Sequence, residues 1–142
     1  IRFNESEVRP TGRVTQGVKG ITLGQNDYVV GMAVSLFSEE DVYLLAVTEK
    51  GFGKRTRLNE YRIQSRGGKG VFTYKITERT GKIAGMRLVN DNDDVMLISA
   101  DGTIIRLNVH EISILGRVTQ GVTLMKVNDG RKVVSLARVE SD

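Results

Sequence analysis

The side chains with the most evident chemistry in this sequence are cations set among glycines. Arg66-Gly67-Gly68-Lys69-Gly70 joins two long positive side chains to three residues that leave backbone amides open to a close-approaching anion. The chemistry this suits is electrostatic and hydrogen-bonded contact with phosphate, without bond making or breaking. A nucleotide-binding loop is not indicated, since there is no GxxxxGK followed by Ser or Thr and no helix to follow it. Catalytic alternatives lack material: there are no cysteines and one histidine, His110, with no serine or cysteine nucleophile motif around it. The acidic run Asp91–Asp94 lacks the spacing of a calcium loop and reads as a solvated turn. The sequence therefore predicts neither a catalytic nor a metal site.

The cationic positions recur. Gly12-Arg13-Val14-Thr15-Gln16-Gly17-Val18 returns unchanged as Gly116-Arg117-Val118-Thr119-Gln120-Gly121-Val122, with Ser65–Val71 as a divergent copy between them. Gly17, Gly70 and Gly121 are 53 and 51 residues apart, and Arg2, Arg55 and Arg106 each precede Arg13, Arg66 and Arg117 by 11. A residue repeated once per structural unit is carried around a rim, so a short motif becomes a curved basic track. Lys54, Arg55, Arg57, Arg62, Arg66 and Lys69 make the central unit the most basic by position. The expected contact set is Arg13, Lys54, Arg55, Arg57, Arg62, Arg66, Gly67, Gly68, Lys69, Gly70 and Arg117. Thr15, Gln16, Thr119 and Gln120 are expected to add uncharged hydrogen bonds. Each glycine box is also suited to a second, compatible role, as a connector that latches one unit to the next with its arginine on local carbonyls.

The elements that must position these residues are short strands. Among 142 residues there are 16 glycines and one proline, 39% are hydrophobic, and no window sustains an apolar helical period. In the middle repeat the pattern predicts strands at 42–48, 52–58, 71–76 and 83–89, followed in the next by 95–99 and 103–108. Glu49-Lys50-Gly51 and Ala100-Asp101-Gly102 serve as tight turns. Four-stranded units repeating in this way predict an all-β, propeller-like architecture with repeats near 1–41, 42–93 and 94–142. Ile1-Arg2-Phe3 matches Ile105-Arg106-Leu107 inside the repeat, so a three-blade portion of a larger domain is expected. Three blades would leave two lateral sheet edges, which predicts that the chain pairs with a second copy of itself.

The net charge is +4 and aromatic residues are 6% of the chain. A basic surface poor in stacking side chains favours duplex over single-stranded nucleic acid. No run has membrane-spanning length and the first ten residues hold no signal-type apolar stretch, so a cytoplasmic location is expected.

Gln64-Ser65-Arg66-Gly67-Gly68-Lys69-Gly70, with Gly51–Thr56 and Glu111–Val122, resembles the C-terminal domain of bacterial DNA gyrase A subunits along essentially the whole chain. The resemblance implies a six-bladed β-pinwheel that exchanges strands between blades and wraps duplex DNA on its basic outer edge; this segment is similar to its last three blades. The family's QRRGGKG-type box is matched except that Ser65 replaces the first arginine, and this copy falls in a later blade than the principal box. Arg13 and Arg117 would then be auxiliary contacts. The family's acidic tail would be reduced to Glu140-Ser141-Asp142. The parent enzyme implied is an ATP-hydrolysing type II topoisomerase using Mg2+, assembled with the gyrase B protein and the remainder of the gyrase A protein beside the chromosome. The segment itself would need no cofactor. Two other readings are the related DNA-binding domain of topoisomerase IV and a propeller-like protein-interaction scaffold.

Overall fold

A computed structural model describes residues 1–36 and 40–140; Ser141 and Asp142 of the expected acidic tail lie outside the described residues. Seven strands are present among the described residues: β1 (Tyr43–Thr48), β2 (Phe52–Arg57), β3 (Ile83–Val89), β4 (Asp94–Ser99), β5 (Ile104–Asn108), β6 (Val122–Thr123) and β7 (Val133–Val139). The helical elements among the described residues are three single 3-10 turns, in keeping with the all-β reading.

The strands form two sheets, ordered β3-β1-β2-β6 and β5-β4-β7, with every pairing antiparallel. Both repeat one plan, a hairpin whose first strand also pairs with a later, returning strand. Glu49-Lys50-Gly51 and Ala100-Asp101-Gly102 turn the hairpins, and Gly51 and Gly102 take φ of +84° and +85°, a left-handed conformation that costs glycine nothing sterically. The irregularities coincide too, between Val47 and Thr48 in one sheet and between Ile98 and Ser99 in the other. The central strands are nearly continuous apolar runs because both faces are covered. Leu45, Val47, Val95 and Leu97 are fully buried in a core completed by Val89, Val109, Ile112, Val133 and Leu136.

The fourth strand of the first sheet corrects the expectation for 71–76, which forms no strand. The outer edge of β2 is covered instead by the following repeat. Arg55 N–H donates to the Ser113 carbonyl (3.1 Å), Leu115 N–H donates to the Arg55 carbonyl (3.0 Å), and β6 then pairs with Phe52 and Gly53. Residues 71–72 are the repeat equivalents of β6.

The chain divides into two compact units, one of residues 1–28 with 61–72 and the other of residues 29–60 with 73–140. The first contains seven basic and three acidic residues, a net of +4, so the whole charge surplus of the protein resides in these 40 residues.

Candidate nucleic-acid interface

The closing glycines of the three boxes, Gly17, Gly70 and Gly121, have φ of +70°, +78° and +71°. One turn, built three times, needs glycine at this place. A second feature of the turn belongs to the two identical boxes: the Thr15 hydroxyl donates to the Gly12 carbonyl and the Thr119 hydroxyl to the Gly116 carbonyl, each at 3.0 Å. These threonines, expected to serve an external partner, spend their protons inside the turn.

In the larger unit the box 116–121 is held by β2. Lys54 is fully buried, and its ammonium donates to the carbonyls of Gly116 (2.7 Å) and Arg117 and to Thr119 Oγ1 (2.9 Å) while standing 4.7 Å above the Tyr74 ring. Arg55, 5% exposed, donates from Nε to the Ile112 carbonyl (2.6 Å) and from Nη2 to the His110 carbonyl (3.1 Å), and pairs through Nη1 with Asp91. Lys54 and Arg55, both expected on the contacting rim, are therefore structural. Their charges compensate the carbonyls of an irregular segment crossing a sheet edge, where unpaired acceptors would be costly. The repeat equivalent Arg2 makes the same contact in the smaller unit, Nη1 to the Tyr61 carbonyl at 3.2 Å. The acidic run does turn, with Asp91 and Asn92 exposed, but its carboxylates are engaged in ion pairs. Asp91 pairs with Arg55, Asp94 with Arg106, and buried Asp93 with Arg138 at 2.7 Å. His110 is exposed, and it is its backbone carbonyl that has a role.

Burial pushes Lys54 from its ordinary 10.5 down to about 8, opposed by Glu60 and reinforced by Arg117. A lysine whose folded value lies below its unfolded one contributes stability that is present above 10.5 and is lost as pH falls through about 8. The expected result is a stability increment of about 3 kcal/mol between pH 8 and 10.5 from this group. Lysine 13Cε chemical shifts followed against pH should place the Lys54 midpoint near 8. A midpoint with the exposed lysines would contradict this. The Tyr74 hydroxyl, buried without a hydrogen-bond partner, is raised by the same desolvation, and a side chain at Gly121 would run into it.

The box 65–70 of the smaller unit is latched by its own arginine. Arg66 Nε donates to the Glu7 carbonyl (2.9 Å), Nη1 to the Lys19 carbonyl (2.6 Å), and its N–H to Glu7 Oε1 (3.0 Å). The connector role is thus realised in geometry. What remains outward in this unit is Arg13, Arg62, Gly68 and Lys69, with Gly67 and Gly70 in the turn itself. Among the described residues no carboxylate pairs with Arg13, Arg62 or Lys69. Arg9 belongs with them: it is exposed and occupies the repeat position of Arg62, a signal present in the sequence but overlooked. In the larger unit Arg57 is exposed with its guanidinium 5.6 Å from the Tyr43 ring, and Arg117 is half-buried in its box. No group of three or more His, Cys, Asp or Glu among the described residues could hold a metal, and no helix is long and apolar enough to cross a membrane.

Comparison with known proteins gives concordant results. Residues 1–35, 43–90 and 93–140 match the family described as the DNA gyrase C-terminal domain, β-propeller. The chain is 50% identical over 142 residues to the DNA gyrase A protein of Staphylococcus epidermidis (strain ATCC 12228 / FDA PCI 1200), and 47% identical to that of Staphylococcus aureus (strain MRSA252). All of this chain is covered in both cases, and it spans 16% of the length of each relative. The solved C-terminal domain of DNA topoisomerase IV superposes with a TM-score of 0.87 at 27% identity, covering 97% of this chain and 42% of that one. For the DNA gyrase A C-terminal domain the values are 0.82, 29%, 96% and 45%. The three boxes, the strand supplied by the following repeat and the family match over nearly every residue lead to one assignment: the chain belongs to the family of DNA gyrase C-terminal domains.

Proposed function

We propose that this chain binds duplex DNA and bends it along an exposed basic surface, in support of ATP-dependent negative supercoiling by a parent type II topoisomerase. The observation that carries the reading is the placement of charge. The entire net +4 falls in the unit of residues 1–28 and 61–72, where Arg9, Arg13, Arg62 and Lys69 face outward around two glycine turns. The relatives support it, being gyrase A proteins and a solved topoisomerase IV domain. The identities of 47–50% with gyrase A proteins favour gyrase over topoisomerase IV.

The contacts need no base reading. Cations on phosphate release counterions and bind any sequence, and their curved arrangement offsets a bending cost on the order of 1–6 kcal/mol per 20–30 base pairs. Arg13, Arg57, Arg62, Lys69 and Arg117 are the proposed contacts, with Gly67, Gly68 and Gly70 giving the phosphate close approach. Lys54, Arg55 and Arg66 hold the boxes in place. The segment has no catalytic part in this scheme. ATP and Mg2+ would serve the parent enzyme, whose other partners would be the gyrase B protein and the remainder of the gyrase A protein in the cytoplasm. Ligase-catalysed cyclisation of a linear duplex of about 150 base pairs in the presence of the chain tests the bending. The expected result is ring closure that speeds up with bound protein, while an unchanged rate at saturation would rule bending out.

A further inference from the structure

A cleft of about 230 Å3 opens at the β1–β2 turn of the larger unit, with Lys50, Phe52, Arg79, Asp129, Gly130 and Lys132 among its lining residues. None of its cations belongs to the glycine boxes or to the contacts of the proposed function. Each comes from a different segment: Lys50 from the turn itself, Arg79 from the loop before β3 and Lys132 from the loop before β7.

Backbone hydrogen bonds tie both loops to the turn. Glu49 N–H donates to the Lys82 carbonyl (2.8 Å), Lys50 N–H to the Thr80 carbonyl (3.2 Å), and Val133 N–H to the Glu49 carbonyl (2.8 Å). The loop that carries Arg79 is also closed on itself around the fully buried Thr80. Thr77 N–H donates to Thr80 Oγ1 and Gly81 N–H to the Thr77 carbonyl, each at 3.0 Å. The segments bearing the three cations are thus fixed at one opening before any ligand arrives, which spares a ligand the cost of assembling them.

Their donors exceed the acceptors that the protein offers them. Arg79 lies with its guanidinium 5.4 Å from the centre of the Phe52 ring, and among the described residues no oxygen accepts from its five N–H groups. Lys50 spends one donor on the Glu78 carbonyl, and Lys132 meets Glu49 at 3.4 Å with more than half of its side chain exposed. The lining residues carry three positive charges against one negative, on Asp129. The corresponding turn of the next repeat is built otherwise. Asp101 stands in the place of Lys50, and Ser99, Thr103 and Arg131 satisfy it locally. The cationic surplus therefore belongs to this turn and is not imposed by the repeat.

We infer that this cleft binds a phosphate group, as a site additional to the glycine boxes. A phosphate offers several anionic oxygens to convergent cations, and a planar guanidinium backed by a ring is suited to grip two of them at once. The volume lies below the ~300 Å3 at which pockets for drug-sized ligands begin, which suits a phosphate or pyrophosphate group rather than a larger molecule. Two sources share this chemistry. One is the backbone of duplex DNA, in which case the site rests on the proposed function and extends it; the other is a free phosphorylated molecule.

The test is 1H–15N NMR of the chain titrated with pyrophosphate at constant ionic strength, without DNA. The expected result is saturable shifts of the Gly51, Asp129 and Gly130 amides, with an affinity weakened at least about 10-fold by Arg79→Ala and by Lys132→Ala. Lys126→Ala, on the same loop but not lining the cleft, should change that affinity less than about 2-fold. Circular dichroism of each variant shows that the fold is intact. A duplex of about 20 base pairs then identifies the source. Shifts of the same amides that pyrophosphate reverses assign the site to DNA phosphate, and a bound duplex that leaves them unmoved assigns it to a free phosphorylated molecule. No saturable shift at these amides, or one that Arg79→Ala and Lys132→Ala leave unchanged, would overturn the inference. The pyrophosphate titration needs no DNA, so a chain that binds pyrophosphate and no duplex fails the proposed function alone.

Discussion

Arg55→Ala should destabilise the larger unit by about 3 kcal/mol, the order expected when two carbonyls each lose a charged donor at about 1–3 kcal/mol. Its guanidinium is 5% exposed and serves the Ile112 carbonyl, the His110 carbonyl and Asp91, and it also lies 4.7 Å from the Tyr43 ring. Truncation leaves two acceptors without that partner where the following repeat crosses onto β2, and opens a space beside Tyr43 in the core. A loss of this size is a large share of the stability of a small domain. Denaturant unfolding monitored by far-UV circular dichroism provides the measurement. A loss below about 1 kcal/mol, the ordinary worth of an exposed pair, would mean that Arg55 is not a latch.

The second large effect concerns affinity. Replacing Arg13, Arg62 and Lys69 together with alanine should lower affinity for duplex DNA on the order of 100-fold at 0.1 M salt, with the unfolding midpoint nearly unchanged. The cause is counterion release: each lost phosphate contact removes about 0.9 from the slope of log K against log salt, so three remove nearly 3. These side chains are exposed and, among the described residues, pair with no carboxylate, so truncation breaks no ion pair inside the protein. Arg66→Ala should behave differently. It releases the Glu7 and Lys19 carbonyls and should destabilise the smaller unit more than it weakens its remaining phosphate contacts.

Much of the fold is legible in the sequence because the repeat can be read twice, from its arginines and from its glycines. The strands at 43–48, 52–57, 83–89, 94–99 and 104–108 fall within two residues of their expected limits, since apolar runs bounded by Gly51 and Gly102 admit little else. The segment 71–76 has the composition of a strand. A strand needs a partner, however, and among the described residues the segment 71–76 takes no place in either sheet. Burial of the cations is hidden for a related reason. Lys54 and Arg55 look like rim residues in a list of charges, and only the crossing of the following repeat over β2 supplies the carbonyls that draw them inward. The concentration of charge in one unit is equally hidden, because that unit is assembled from two separated stretches of sequence.

In the proposed function the repeated cations divide into those that hold the boxes and those that would contact DNA, and one comparison tests this division most directly. Fluorescence anisotropy of a duplex of about 40 base pairs, titrated between about 50 and 300 mM salt, would be measured for the chain, for Lys69→Ala and for Lys54→Met. The predicted result is tight, salt-sensitive binding whose slope falls by about 1 in Lys69→Ala and is unchanged in Lys54→Met, which loses stability instead. Binding that is absent at the lowest salt, or that responds to Lys54→Met and not to Lys69→Ala, would contradict it.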